Sequence, residues 1–301
     1  MAFPPRPAWV NGNSLTGNVF DIIADFLSND RKASRSASEL TSLFLPYTST
    51  IKETENVQCL WGTIFWLASN FHPGATEHWL LTELVQEIQK IPAPPGNGVK
   101  QDQEQTGQEW WTDLPGWRSA WADFECDAPL VPRMMSREGA EQTKSTLFTP
   151  GPWRSGDGNP MSGQAWANLN AFAAKLHART DLDFLDLAGL YALLEALEQE
   201  ISSKDLDNVV PAAACWILSA GKEIRENDEE HDVDENGPVE TKRLPGSRGG
   251  LYKGPKGFSD ERWAFWKSRF AELSKRADLN QNTRLFATQA LDEMTCIEVR
   301  N

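Results

Sequence analysis

The residues of this chain best suited to chemistry are a cationic, glycine-rich loop and an unusual stock of tryptophan. Lys242, Arg243, Arg248, Lys253 and Lys256 alternate with Gly246, Gly249, Gly250, Gly254 and Gly257, directly before a helix signal. Exposed backbone N–H groups feeding a helix N-terminus suit a phosphate or carboxylate. The loop carries no GxxxxGK[ST] sequence, and no strand precedes it, so it is neither a P-loop nor a dinucleotide fingerprint. The plainer reading is a solvated loop that wraps the core, its cations balancing the acid upstream. Of this group, Arg248 and Lys253 are taken as candidate ligand contacts.

Upstream lies an acidic run, Asn227 to Glu235. It is similar in spacing to the second metal motif of class I terpene cyclases, with His231 where that family has Ser or Thr. Asp181, Asp183 and Asp186 could stand for the first aspartate-rich motif, chelating Mg²⁺ and a diphosphate. That motif belongs on a helix, whereas Gly237 and Pro238 mark this stretch as a loop. In so acidic a segment the spacing match is also cheap. No metal site and no cofactor are therefore expected.

The chain has 13 tryptophans and only three tyrosines. An indole buries a large area and usually seeks a partner for its N–H. Aromatic stripes at helical spacing are usually core, but this many can also wall a cavity. Trp117, Trp121, Trp166, Trp216, Trp263 and Trp266 are the candidate lining residues. The four histidines form no HExxH and no serine sits in GxSxG, which excludes the zinc-protease and α/β-hydrolase readings. His72 and His78 flank a helix start. His177 could act as a lone base, though a surface histidine at a helix end is the ordinary explanation. The sequence designates no catalytic residue.

Helices must position all of these groups. The apolar residues of Ser14–Asn29, Ser36–Leu45, Glu53–Phe71 and Thr76–Ile91 recur every three or four positions, and the third covers enough of its circumference to be central. A further helix begins near Pro115. Ser162–Arg179, Leu182–Ile201 and Asp207–Glu226 follow, the last with Pro211 tolerable only in its first turn. On Leu182–Ile201, Glu195, Glu198 and Glu200 are expected to face mostly outward. Ser259–Ala277 carries Trp263, Trp266, Phe270 and Leu273 on one face. Asn280–Glu298 ends the chain, with Leu285, Phe286, Ala290, Met294 and Ile297 as its apolar set. Residues 1–13 are Pro-rich and read as extended, and segments near 92–107 and 227–257 read as flexible. No stretch alternates as a strand would. The expectation is an all-α protein, one helical domain over 1–301 with nine or ten helices and long irregular loops.

Composition narrows the class. The 301 residues are 40% hydrophobic and carry a net charge of −14, which fits a globular chain and opposes phosphate backbones. Nucleic acid is thus not an expected partner. No run of 18 apolar residues exists and the N-terminus shows no signal-peptide core, so no membrane partner and a cytoplasmic location are expected. Cys59, Cys126, Cys215 and Cys296 form no CxxC pair and read as reduced, buried thiols. Oligomeric state is left open.

The second half carries a resemblance. AWANLNAFAAKLHAR, a leucine-rich helix ending LLEALEQE, then AAACWILSAGKEI and GGLYKGPKGFSDERWAFWKSRF occur in order. Over about residues 160–298 the chain resembles an all-helical fungal family catalogued as domain of unknown function 3632. The resemblance implies a helical fold and a fungal source, and it implies no catalytic residue.

Together these observations suggest a small-molecule-binding helical protein. An apolar ligand would sit in an aromatic-lined cavity, as in a cofactor-free cyclase or isomerase of fungal secondary metabolism. Two other readings remain: a non-catalytic interaction or scaffold protein, and a Mg-dependent class I terpene cyclase-like enzyme.

Overall fold

Apolar residues at steps of three and four set nearly every element. The computed structural model describes residues 3–11, 14–47, 54–92, 111–129, 160–180, 182, 184–226, 250–254 and 257–300. Among them are eleven α-helices and no strand, so the fold is all-α. The helices group into two compact units.

In the first unit, α1 is Ala8–Asn11, α2 Ser14–Ser28, α3 Ala33–Phe44, α4 Thr54–Asn70, α5 Thr76–Gln89 and α6 Trp117–Cys126. The short α1 corrects the expectation of a fully extended N-terminus: four residues after Pro7 close one turn. Val57, Leu60, Trp61, Ile64, Phe65, Leu67 and Ala68 are all fully buried, so α4 is the central helix its pattern predicts. It packs against α2, α5 and α6. His78 is buried and its Nε2 lies 3.0 Å from the Ala68 carbonyl oxygen, tying α5 back to the end of α4. The turn before α6 is tight. Leu114 (φ 47°) and Gly116 (φ 76°) both adopt left-handed backbone, which costs Leu114 roughly 1–2 kcal/mol. Trp61 holds that turn by donating its indole N–H to the Pro115 carbonyl at 2.7 Å.

In the second unit, α7 is Gly163–His177, α8 Phe184–Leu197, α9 Ser203–Glu226, α10 Asp260–Leu273 and α11 Gln281–Arg300. Ser162 and Ser259 cap α7 and α10 by accepting from the backbone N–H three residues on, each at 3.1 Å. α9 is the hub and packs against α7, α8 and α11. It begins four residues earlier than its apolar pattern predicts, so Pro211 lies inside it rather than in its first turn. Its missing N–H leaves the Asp207 carbonyl without the usual helical donor. The backbone leaves helical geometry farther along, at Ala220 (φ −136°). Leu285, assigned to the inner face of α11, is 52% exposed: Phe286, Ala290, Met294 and Ile297 define a narrower stripe that passes it by. No described helix is long and apolar enough to cross a membrane. Cys59 and Cys215 are buried free thiols, pushed up to about 12 by burial, whereas Cys296 is exposed.

Candidate functional site

The polar groups best placed for chemistry lie where α7, α8 and α9 meet. Asn170 and His177 stand two turns apart on α7 and so share one helix face, and Trp216 stands on α9 before its break at Ala220. The first turn of α8 supplies Asp186. Trp216 is fully buried and donates its indole N–H to Asn170 Oδ1 at 2.7 Å, while Asn170 donates to the Trp166 carbonyl at 2.9 Å. Both groups are satisfied within the buried interior, as buried polar atoms must be. Gly189 makes this packing possible: a Cβ there would sit 2.8 Å from Trp216 Cε3.

His177 lies next along this line. Its ring centroid is 5.9 Å from the Trp216 ring, and its Nε2 is 3.4 Å from Asp186 Oδ1. The two side chains are only 11% and 17% exposed, so His177 is not the surface histidine that its place at a helix end suggests. Burial pulls the imidazole below its ordinary value, while the negative charges of Asp186 and Glu223 oppose that pull. Nδ1 is buried with no hydrogen-bond partner. On the same helix Lys175 is buried, with Nζ 3.4 Å from the Ala171 carbonyl oxygen, and burial lowers its ammonium from the ordinary value.

Two carboxylates organise the far side of the same unit. Glu198 was expected to face outward, but it is 1% exposed and accepts hydrogen bonds from Arg262 Nε (2.7 Å), Arg262 Nη2 (3.0 Å) and Trp266 Nε1 (2.7 Å). The chain turns inward just past the end of α8, because the Glu198 carbonyl also accepts from Leu251 N–H at 2.7 Å. A Cβ at Gly250 would lie 2.9 Å from that carbonyl oxygen, so glycine permits this approach. Arg262 is fully buried, donates to the Gly257 carbonyl at 2.7 Å and lies over the Tyr252 ring at 4.9 Å. The second carboxylate, Glu298, accepts from Trp263 Nε1 at 3.0 Å and from Lys267. Burial opposes its ionised form, but those two hydrogen bonds hold it below the usual carboxylate range.

The candidate residues read from sequence divide accordingly. Trp117 and Trp121 belong to the first unit and pack edge-to-face on Phe65, with centroids 4.5 and 5.5 Å away. Trp166, Trp216, Trp263 and Trp266 belong to the second unit and are all buried. There the structure joins Trp216 to Asn170, Trp263 to Glu298 and Trp266 to Glu198. Lys253 is exposed. Arg248 lies outside the described residues, as do Asp181, Asp183 and the acidic run 227–235. Asp186, the described member of the proposed aspartate-rich motif, sits against His177. Among the described residues, no group of three or more His, Cys, Asp or Glu is placed to hold a metal ion.

Sequence reasoning missed Arg262, Glu198 and the His177–Asp186 pair. Arg262 was legible in part, since it lies one turn before Trp266 on the buried face of α10. Glu198 gave no comparable signal.

The chain belongs to the family described as Protein of unknown function (DUF3632), whose model matches residues 61–270. The match reaches back to Trp61, well before the stretch that carries the resemblance in sequence. No curated protein and no solved structure matches the chain.

Proposed function

We propose that this protein binds a mostly apolar small molecule, and that the second unit supplies the site, where α7, α8 and α9 meet. The observation that carries this reading is the gathering of Asn170 and His177 at buried Trp216, with Asp186 against His177. Small-molecule sites combine such an apolar, aromatic wall with a few placed polar groups that fix orientation. The finer reading is a cofactor-free cyclase or isomerase. Its rate would come from holding a flexible substrate in a reactive conformation.

The test is intrinsic tryptophan fluorescence of the full chain, titrated with apolar polyketide-like and isoprenoid compounds. Saturable quenching that is lost in Trp216→Phe supports the site. Quenching that Trp216→Phe leaves unchanged moves the site elsewhere, and the absence of quenching by any compound contradicts the reading.

The scaffold reading draws on one observation in the first unit: Trp79 on α5 is 43% exposed, an uncommon position for an indole. A partner whose capture from a matched extract is lost in Trp79→Ala would favour it.

A further inference from the structure

Residues 3–7 read Phe-Pro-Pro-Arg-Pro and lead directly into α1. The three prolines fix their own φ and carry no N–H, so the stretch is stiff and cannot be held by a backbone ladder. Side chains hold it instead. Phe3 meets Phe20 of α2 edge-on, with centroids 6.1 Å apart, and meets Phe71, just past the end of α4, at 6.0 Å. Arg6 lies over the Phe20 ring at 5.6 Å and pairs with Asp21 at 3.1 Å. Gly17 on α2 leaves room for that guanidinium, since a Cβ there would lie 2.8 Å from Arg6 Nη2. Farther along, Trp9 meets the edge of Trp66 on α4 at 6.2 Å, and Trp66 in turn lies 6.2 Å from Phe20.

An aromatic seam between two helices, with an acid at its rim, thus takes up a stiff proline-rich segment that carries an arginine. Proline-rich peptides are recognised in this way. Aromatic side chains line the groove, and the ligand loses little entropy because its conformation is already fixed. Pro4 and Pro7 have the PxxP spacing of such ligands. The Arg6 and Asp21 side chains are 38% and 61% exposed, so their pairing adds little stability, and its effect is on register and choice of ligand. A segment that merely covered Phe20 and Phe71 would need neither three prolines nor an arginine.

We propose that this seam of the first unit is a docking site for a proline-rich segment of a partner protein. The segment it fits runs aromatic-Pro-Pro-Arg-Pro, and residues 3–7 occupy the site in cis and hold it closed. The net charge of −14 favours such a basic ligand. The connection to α2, which starts at Ser14, is short, so the cis segment competes at an effective concentration in the millimolar range. The seam stands or falls without the small-molecule site of the second unit.

The experiment uses the full chain and a fluorescein-labelled peptide with the sequence of residues 1–8, followed by anisotropy. The double variant Phe3→Ala with Arg6→Ala removes both anchors of the cis segment and leaves Trp9 and Val10 in place. It should bind the peptide at least about tenfold tighter than wild type, because its internal competitor is gone. Adding Asp21→Lys to that variant should weaken binding about fivefold, and a peptide carrying Arg6→Glu should recover the loss. A peptide with the same two alanines should bind neither chain. Should the double variant misfold by circular dichroism, Arg6→Glu alone, a change at an exposed residue, takes its place and should admit the peptide about fivefold more tightly than wild type.

Equal binding to wild type and the opened variant would place the peptide elsewhere and overturn the inference. So would binding indifferent to Asp21→Lys, or no binding to the opened variant at about 1 mM peptide.

Discussion

The two units bury tryptophan in different ways. In the first, rings meet rings: Trp61 and Trp117 pack at 5.0 Å, and Phe65 takes the edges of Trp117, Trp121 and Phe124 at 4.5 to 5.5 Å. There Trp61 donates its indole N–H to a backbone carbonyl, and Trp121 donates to Glu125 one turn along the same helix. In the second, three indoles reach side chains on distant segments: Trp216 to Asn170, Trp263 to Glu298 and Trp266 to Glu198. Edge-to-face packing tolerates a ring of similar size. A hydrogen-bonded or charged anchor specifies one partner and fails when that partner is removed. The first unit should therefore answer to ring volume, and the second to charge and hydrogen-bond chemistry.

The largest effect tests the second half of that contrast. Glu198→Ala leaves Arg262 buried without its carboxylate and should cost the second unit about 3–5 kcal/mol. Hydrogen exchange resolved by unit would read this loss, with the first unit unaffected. The paired change Glu198→Leu with Arg262→Met removes both charges and should cost far less. Equal losses from the single and paired changes would break the contrast.

In the first unit, Trp117→Ala removes a fully buried ring and should cost about 3–5 kcal/mol, whereas Trp117→Phe should keep most of the packing. In the second unit the conservative change is itself costly. Asn170→Leu leaves the buried Trp216 N–H without its acceptor, for about 1–3 kcal/mol. Gly189→Ala, which pushes on the Trp216 ring, should cost a similar 1–3 kcal/mol.

The smallest effects are in pH and have opposite signs in the two units. Burial raises Glu125 from 4.5 to about 7, with the Trp121 hydrogen bond opposing. Its contribution to the first unit is fully present below 4.5 and is lost as pH rises through about 7. Burial lowers His177 from 6.5, so its contribution to the second unit is fully present above 6.5 and is lost as pH falls below that value. Glu125→Gln should flatten the alkaline loss and His177→Gln the acidic one. If each variant instead flattened the other unit's profile, the assignment of these groups would be wrong.

Much of the fold could be read from sequence because helical periodicity is a local property. α4 and α10 were legible as buried faces from spacing alone. The misreadings arose where a distant partner overrides the local pattern. Glu198 stands just past the end of α8, where an acid is ordinarily solvated, and its burial is decided by Arg262, 64 residues away. His177 lies at a helix end, where histidine is ordinarily solvated, and its burial is set by Trp216 and Asp186 from two other helices. The tryptophans were recognised as a group, but sequence could not divide them between units or name the carboxylates that hold Trp263 and Trp266.

The measurement that bears most directly on the account is ¹⁹F NMR of the full chain labelled with 5-fluorotryptophan. Resonances would be assigned by single Trp→Phe variants and the protein titrated with apolar polyketide-like and isoprenoid compounds. The account predicts that Trp216 shifts saturably, while Trp61 and Trp117 stay in place. Shifts confined to Trp61 and Trp117, or a Trp216 signal unmoved by every compound, would contradict it.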